Sequence, residues 1–96
     1  MVMTILEARV ALEKASLLED AYKQAVQQLD VGIVQTALLQ SSKDSSLWRI
    51  MTVWESRDAL DAMRQTGETP KGVLMFRAAN AEPVLTVFDV VAQAGI

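Results

Sequence analysis

The chain has 96 residues, nine Lys and Arg against twelve Asp and Glu for a net charge of −3, 51% hydrophobic residues, and neither cysteine nor histidine. The two absences exclude a disulfide framework, a thiolate nucleophile, a zinc–thiolate centre, a histidine general base and a histidine-ligated haem or metal. The scattered basic residues argue against nucleic acid, and the length allows a single domain, 1–96, that buries only roughly 60–70% of its unfolded surface.

Val2 to Val10 alternates as a strand, with Thr4, Leu6, Ala8 and Val10 on one face and Met3, Ile5, Glu7 and Arg9 on the other. No basic leader precedes it and Glu7 interrupts its apolar run, so no signal peptide is expected. No apolar run nears the ~20 residues of a membrane span; the expectation is a cytoplasmic protein with no membrane partner.

Ser16-Leu17-Leu18-Glu19 fits a capping box, with Ser at N-cap and Glu at N3. Behind it Leu18, Ala21, Tyr22, Ala25, Val26 and Leu29 recur at helical spacing. An amphipathic helix is expected from about one turn before Ser16 to near Leu29, with Gly32 at its exit. Ile33 to Ser41 reads as a second strand. The polar turn Ser42-Lys43-Asp44-Ser45-Ser46 makes an antiparallel hairpin with a third strand that begins at Leu47. In that strand Trp48, Ile50, Thr52 and Trp54 share one face, and Leu47, Arg49, Met51, Val53 and Glu55 the other.

Ser56 supplies an N-cap oxygen for a second helix from about Arg57 to Gln65, which stops at Gly67. Lys71 to Ala79 reads as a further short helix, with Val73, Phe76 and Ala79 inward and Arg77 outward. Asn80 and Pro83 close it. Val84 to Gln93 is the last strand. The resulting order is an α+β, ferredoxin-like βαββαβ fold with a four-stranded antiparallel sheet.

Two helices cover only one face of such a sheet. Strands three and four are largely apolar on both faces, so a second cover is needed, and another copy stacked face to face supplies it. A homodimer is therefore expected. Glu7, Arg9, Arg49 and Glu55 fall at or near that interface and can form cross-strand ion pairs or meet an anionic substrate.

At Trp54-Glu55-Ser56-Arg57-Asp58-Ala59-Leu60 the sequence resembles the antibiotic biosynthesis monooxygenase family, whose members commonly run an aromatic strand into W-E-S and an Ala-Leu helix. The element order agrees over essentially the whole chain. The resemblance implies a dimeric α/β barrel with a pocket between sheet and helices in each chain. It also implies cofactor-free oxidation of an aromatic or quinol-type molecule, or oxidative haem breakdown. Two positions depart from the family pattern. The histidine that often ends the Ala-Leu helix is Met63 here, which speaks against haem breakdown. The asparagine that quinone-forming members place four residues before the strand tryptophan is Ile50 here.

The substrate-binding candidates are Trp54, Tyr22, Thr52, Ile50, Met63 and Phe76, with no catalytic residue assigned, no metal and no cofactor. Trp54 reads either as a pocket wall that stacks on a flat ligand or as a core residue against the first helix. Trp48 reads as core or rim packing. Tyr22, the single tyrosine, has a hydroxyl that needs a partner if buried. Three functions stay open: a cofactor-free monooxygenase on a small apolar or aromatic molecule, a non-catalytic dimeric binding domain, and an isomerase or lyase on the same scaffold.

Overall fold

Val2, Thr4, Leu6 and Ala8 turn inward and are buried along β1 (Val2–Arg9), and the sheet is assembled on either side of that strand. A computed structural model describes residues 1–95. After β1 come a short 3₁₀ turn (Leu12–Lys14), α1 (Ala15–Ala25), β2 (Ile33–Gln40), β3 (Leu47–Trp54), α2 (Arg57–Gln65), α3 (Lys71–Ala78) and β4 (Val84–Asp89). The strand order is β2-β3-β1-β4, all pairs antiparallel, which is the ferredoxin-like α+β fold.

The helices pack on the face that carries Val2, Leu6, Ala8, Trp48, Ile50 and Trp54. They bury two clusters there. The larger joins Leu18 of α1 and Met75, Phe76 and Ala79 of α3 and its end to Leu6, Ala8, Val10, Trp48 and Ile50. The smaller joins Leu60 of α2 to Val2 and Trp54. Burying side chains of this size contributes roughly 1.5–3 kcal/mol each.

Several boundaries differ from the sequence expectation. The capping box at Ser16 does not form: α1 begins at Ala15, its N-cap is Lys14, and no side chain caps it. The Leu12–Lys14 turn, closed by Lys14 N–H on the Ala11 carbonyl at 2.8 Å, already winds the chain before Ser16. An N-cap needs extended backbone, which Ser16 therefore lacks. Ser56 has it (φ −158°, ψ 162°), and its Oγ accepts from the Ala59 N–H at 3.0 Å. α1 also ends at Ala25 rather than near Leu29, and residues 26–32 cross toward β2. There Gly32 adopts φ +95° and its carbonyl accepts from the Glu55 N–H at 2.8 Å.

β2 carries a bulge between Ile33 and Gln35. β4 ends at Asp89, not Gln93: Asp89 pairs with Val2, the first residue of β1, and the Val90 N–H reaches the Met1 carbonyl at 3.1 Å. α3 closes on Asn80 at φ +60°, with Asn80 N–H on the Arg77 carbonyl and Ala81 N–H on the Phe76 carbonyl. This is the Schellman arrangement, with asparagine where glycine is usual.

The sheet's other face has no helix over it. Met3, Ile5, Met51 and Val53 form its centre; Phe88 and Val84 lie toward one edge, 49% and 69% exposed, and Leu39 toward the other. Glu7 and Arg49, directly opposite in register, form an ion pair on this face. Arg9 pairs instead with Asp44 of the β2–β3 turn.

Candidate functional site

Between the two buried clusters the helices leave a cavity of about 160 Å³ above the sheet. Its floor is a row of threonines in cross-strand register, Thr36 on β2, Thr52 on β3 and Thr4 on β1. Directly opposed residues stand only ~4.5–5.5 Å apart, so the row sets hydroxyl-bearing side chains side by side under the cavity. The Thr36 hydroxyl donates to the Met51 carbonyl at 3.0 Å. The Thr4 hydroxyl accepts from the Trp54 indole N–H at 3.3 Å.

The walls are apolar. Trp54, Ile33, Leu60 and Met63 close one end, Leu6 and Ile50 the other, and α1 contributes Tyr22 and Ala25, with Val26 just past its end. α3 contributes Gly72 and Val73. A side chain at Gly72 would meet Leu6 Cδ1 at 2.6 Å, so the start of α3 lies close over β1 and a Cβ there would have to push the end of the Leu6 side chain aside. Gly32, at the end of the loop from α1, is tight for the same kind of reason: its Cβ would fall 2.6 Å from that of Ala59 on α2.

Charge is confined to Asp30, Arg64 and Lys71 in this lining. Lys71 Nζ contacts Asp30 Oδ1 at 3.2 Å and donates to the Gln28 carbonyl at 3.1 Å. The pair ties the loop after α1 to the start of α3 beside the cavity. Among the described residues no group of three or more His, Cys, Asp or Glu could hold a metal ion.

Of the residues singled out from sequence, Trp54, Tyr22, Thr52, Ile50 and Met63 all line this cavity. Phe76 does not: it is fully buried in the larger cluster, and α3 turns Val73 and Met75 to the cavity instead. Trp54 packs with Leu60 of α2 and Val2 of β1 rather than against α1. Sequence reasoning missed Thr4, Thr36 and the Asp30–Lys71 pair. Thr4 was legible as an inward position of β1. Thr36 and the ion pair depend on register and on a loop path that no periodicity encodes.

The family profile described as antibiotic biosynthesis monooxygenase matches residues 1–73, which take in β1 through the first turn of α3 and with them Trp54 and the threonine row. The chain belongs to the antibiotic biosynthesis monooxygenase family. No curated protein matches it. Among solved structures, a Deinococcus radiodurans protein assigned to antibiotic biosynthesis monooxygenases superposes with a TM-score of 0.73 at 15% identity, covering 100% of this chain and 98% of that one. A mutant of SnoaB, a cofactor-independent oxygenase from Streptomyces nogalater, gives 0.71 at 17% identity over 96% and 94%. A MhuD mutant with two manganese protoporphyrin IX molecules per active site gives 0.72 at 20% identity over 99% of each chain. At these identities the likeness is one of fold. No helix among the described residues is long and apolar enough to cross a membrane.

Proposed function

We propose that this family member is a cofactor-independent monooxygenase that oxidises a small phenol or quinol in the cavity behind Trp54. The observation that carries the reading is the position of Trp54. The tryptophan of the family's W-E-S motif stands in the wall of an apolar cavity, and its hydrogen bond to Thr4 fixes the indole's orientation there. The cavity's size supports a single ring: about 160 Å³ is close to the ~150 Å³ engineered cavity that takes up benzene. The threonine floor offers hydroxyls to a ring oxygen, and Arg64, the charge in the lining that Asp30 does not offset, favours the phenolate.

A phenolate is electron-rich at its para carbon and can pass electrons to O₂ without a metal. In the monooxygenation, phenol and O₂ give the para-quinone and water. The para C–H becomes C=O, the phenol O–H becomes the second C=O, one oxygen atom enters the ring and the other leaves as water with both hydrogens. The protein's part is to hold the anion, exclude water and orient the ring. Histidine-ligated haem does not fit a chain with no histidine.

The same reading takes the chain as a cytoplasmic homodimer. The uncovered sheet face around Ile5, Met51 and Phe88 is the surface a second copy would cover, as expected for this family. A second reading, a non-catalytic dimer that binds a small aromatic molecule, is favoured by one observation: the single carboxylate in the lining, Asp30, is engaged by Lys71, and no histidine stands in as a base.

Oxygen uptake separates the two. With a panel of phenols, naphthols and quinols, the oxygenase reading expects consumption above the uncatalysed rate, reduced roughly 10–100-fold in Trp54→Phe. Saturable binding of the same compounds with no consumption of oxygen by the folded protein would favour the binding domain.

A further inference from the structure

Thr52 is the exception on the helix-covered face of β3. Trp48, Ile50 and Trp54 share that face and are 4%, 3% and 4% exposed, whereas Thr52, between Ile50 and Trp54, stays part open. What it opens into is the cavity that it lines. Its hydroxyl has no hydrogen-bond partner among the described residues, yet it is not sealed off as the Trp48 Nε1 is. An unspent hydroxyl on the floor of an apolar cavity is a ready partner for a ligand oxygen.

Its two neighbours in the row are spent unequally. Thr4 Oγ1 accepts the Trp54 indole N–H at 3.3 Å, and its own O–H donates to nothing among the described residues, so Thr4 is left a donor. Thr36 has given its proton to the Met51 carbonyl at 3.0 Å and is left an acceptor. Thr52, paired with both, can act either way. The row therefore has a direction. It donates at its β1 end and accepts at its β2 end.

We propose that this row makes the cavity a site for a single ring with two oxygens in 1,3 relation, a benzene-1,3-diol bound as its monoanion. The inference rests on the reading of the cavity behind Trp54 as a phenol site, and it names the phenol. Paired threonines stand ~4.5–5.5 Å apart, so the midpoints of the two gaps are one such spacing apart. Oxygens on ring carbons 1 and 3 have closely that separation. Those of a 1,2-diol lie too near each other, and those of a 1,4-diol point to opposite sides of the ring. The phenolate oxygen sits between Thr4 and Thr52 and accepts from both. The hydroxyl sits between Thr52 and Thr36 and donates to Thr36. The carbon para to the phenolate oxygen still carries hydrogen, so the ring keeps the position that the oxygenation uses.

The test is calorimetric titration of the full-length protein at one pH with phenol, 3-methoxyphenol and the 1,2-, 1,3- and 1,4-benzenediols. Oxygen is excluded, which separates binding from oxidation. The 1,3-diol should bind roughly three- to tenfold tighter than each of the others, the share of one hydrogen bond. 3-Methoxyphenol has the second oxygen but no proton for Thr36, and should bind no better than phenol. Thr36→Val keeps the shape without the hydroxyl and should erase the 1,3-diol's advantage; Thr36→Ser should keep it. The wild-type series decides the matter if Thr36→Val does not fold. The inference is overturned if the 1,3-diol has no advantage, if 3-methoxyphenol matches it, or if folded Thr36→Val retains it. Binding of none of the compounds would overturn it together with the reading of the cavity as a phenol site. A preference for the 1,3-diol with no oxygen consumption once oxygen is admitted would support the inference and count against the oxygenase reading alone.

Discussion

At Gly32 the backbone adopts φ +95°, and a Cβ would lie 2.6 Å from that of Ala59. Gly32→Ala therefore suffers two penalties, a strained backbone and a clash with α2. It should lose roughly 2–3 kcal/mol, read as a drop of roughly 10–20 °C in thermal unfolding. Ala59→Gly in the same chain should return only the steric part. Asn80 is a milder case: at φ +60° asparagine is tolerated, so Asn80→Gly should leave the melting temperature unchanged or raise it slightly, and Asn80→Ala should cost about 1 kcal/mol. Asn80 was readable as a helix exit, from Asn before Pro, whereas Gly32, expected at the exit of the first helix, lies at the end of the connection that follows Ala25. The closeness of Gly32 to Ala59 was not readable, because it arises where a loop passes over a helix that follows it in sequence. Phe76 shows the same limit. Helical spacing turns it inward correctly, but spacing alone does not say whether inward means cavity or core.

At the scale of single elements, the two serines make a direct comparison. Ser56 caps α2 through its side chain, and Ser56→Ala should cost about 1 kcal/mol. Ser16 sits inside α1, where alanine is the better helix former, so Ser16→Ala should cost nothing and can stabilise slightly. Chemical denaturation of the two variants checks both. The β2–β3 turn is held by a different device. Asp44 accepts from the Ser46 hydroxyl and backbone N–H and pairs with Arg9, and these contacts, the Ser46 hydroxyl foremost, lower its carboxyl from 3.8 to about 2. A lowered carboxyl stabilises the fold above its unfolded value and stops doing so as pH falls through its folded one. The turn's contribution should therefore be complete above about pH 4 and fade toward pH 2. Acid unfolding of Asp44→Asn should lack that component. The element types followed from period and turn chemistry, but their ends depend on neighbours. β4 alternates as far as Gln93 in sequence, yet stops at Asp89, the residue that pairs with Val2 at the start of β1.

For the whole molecule, the sheet is covered by helices on one face and bare on the other. That was legible from the double-sided apolar pattern of β3. The bare face is the expected dimer surface. Sedimentation of the wild type at micromolar concentration should give a dimer, and Phe88→Asp, a charge placed on that face, should shift it toward monomer. Phe88 is 49% exposed in the single chain, so the substitution should cost the monomer little.

The cavity behind Trp54 is the centre of the functional account, and one comparison tests it most directly. Ala25 lines the cavity from α1, away from Trp54 and the threonine row, so Ala25→Phe should fill the space without altering either. The measurement is oxygen consumption with a single-ring phenol or quinol by the wild type and by Ala25→Phe, matched for melting temperature. The expected result is steady consumption by the wild type and none above background in the filled variant. Equal consumption by both proteins would place the oxidation outside the cavity and contradict the account.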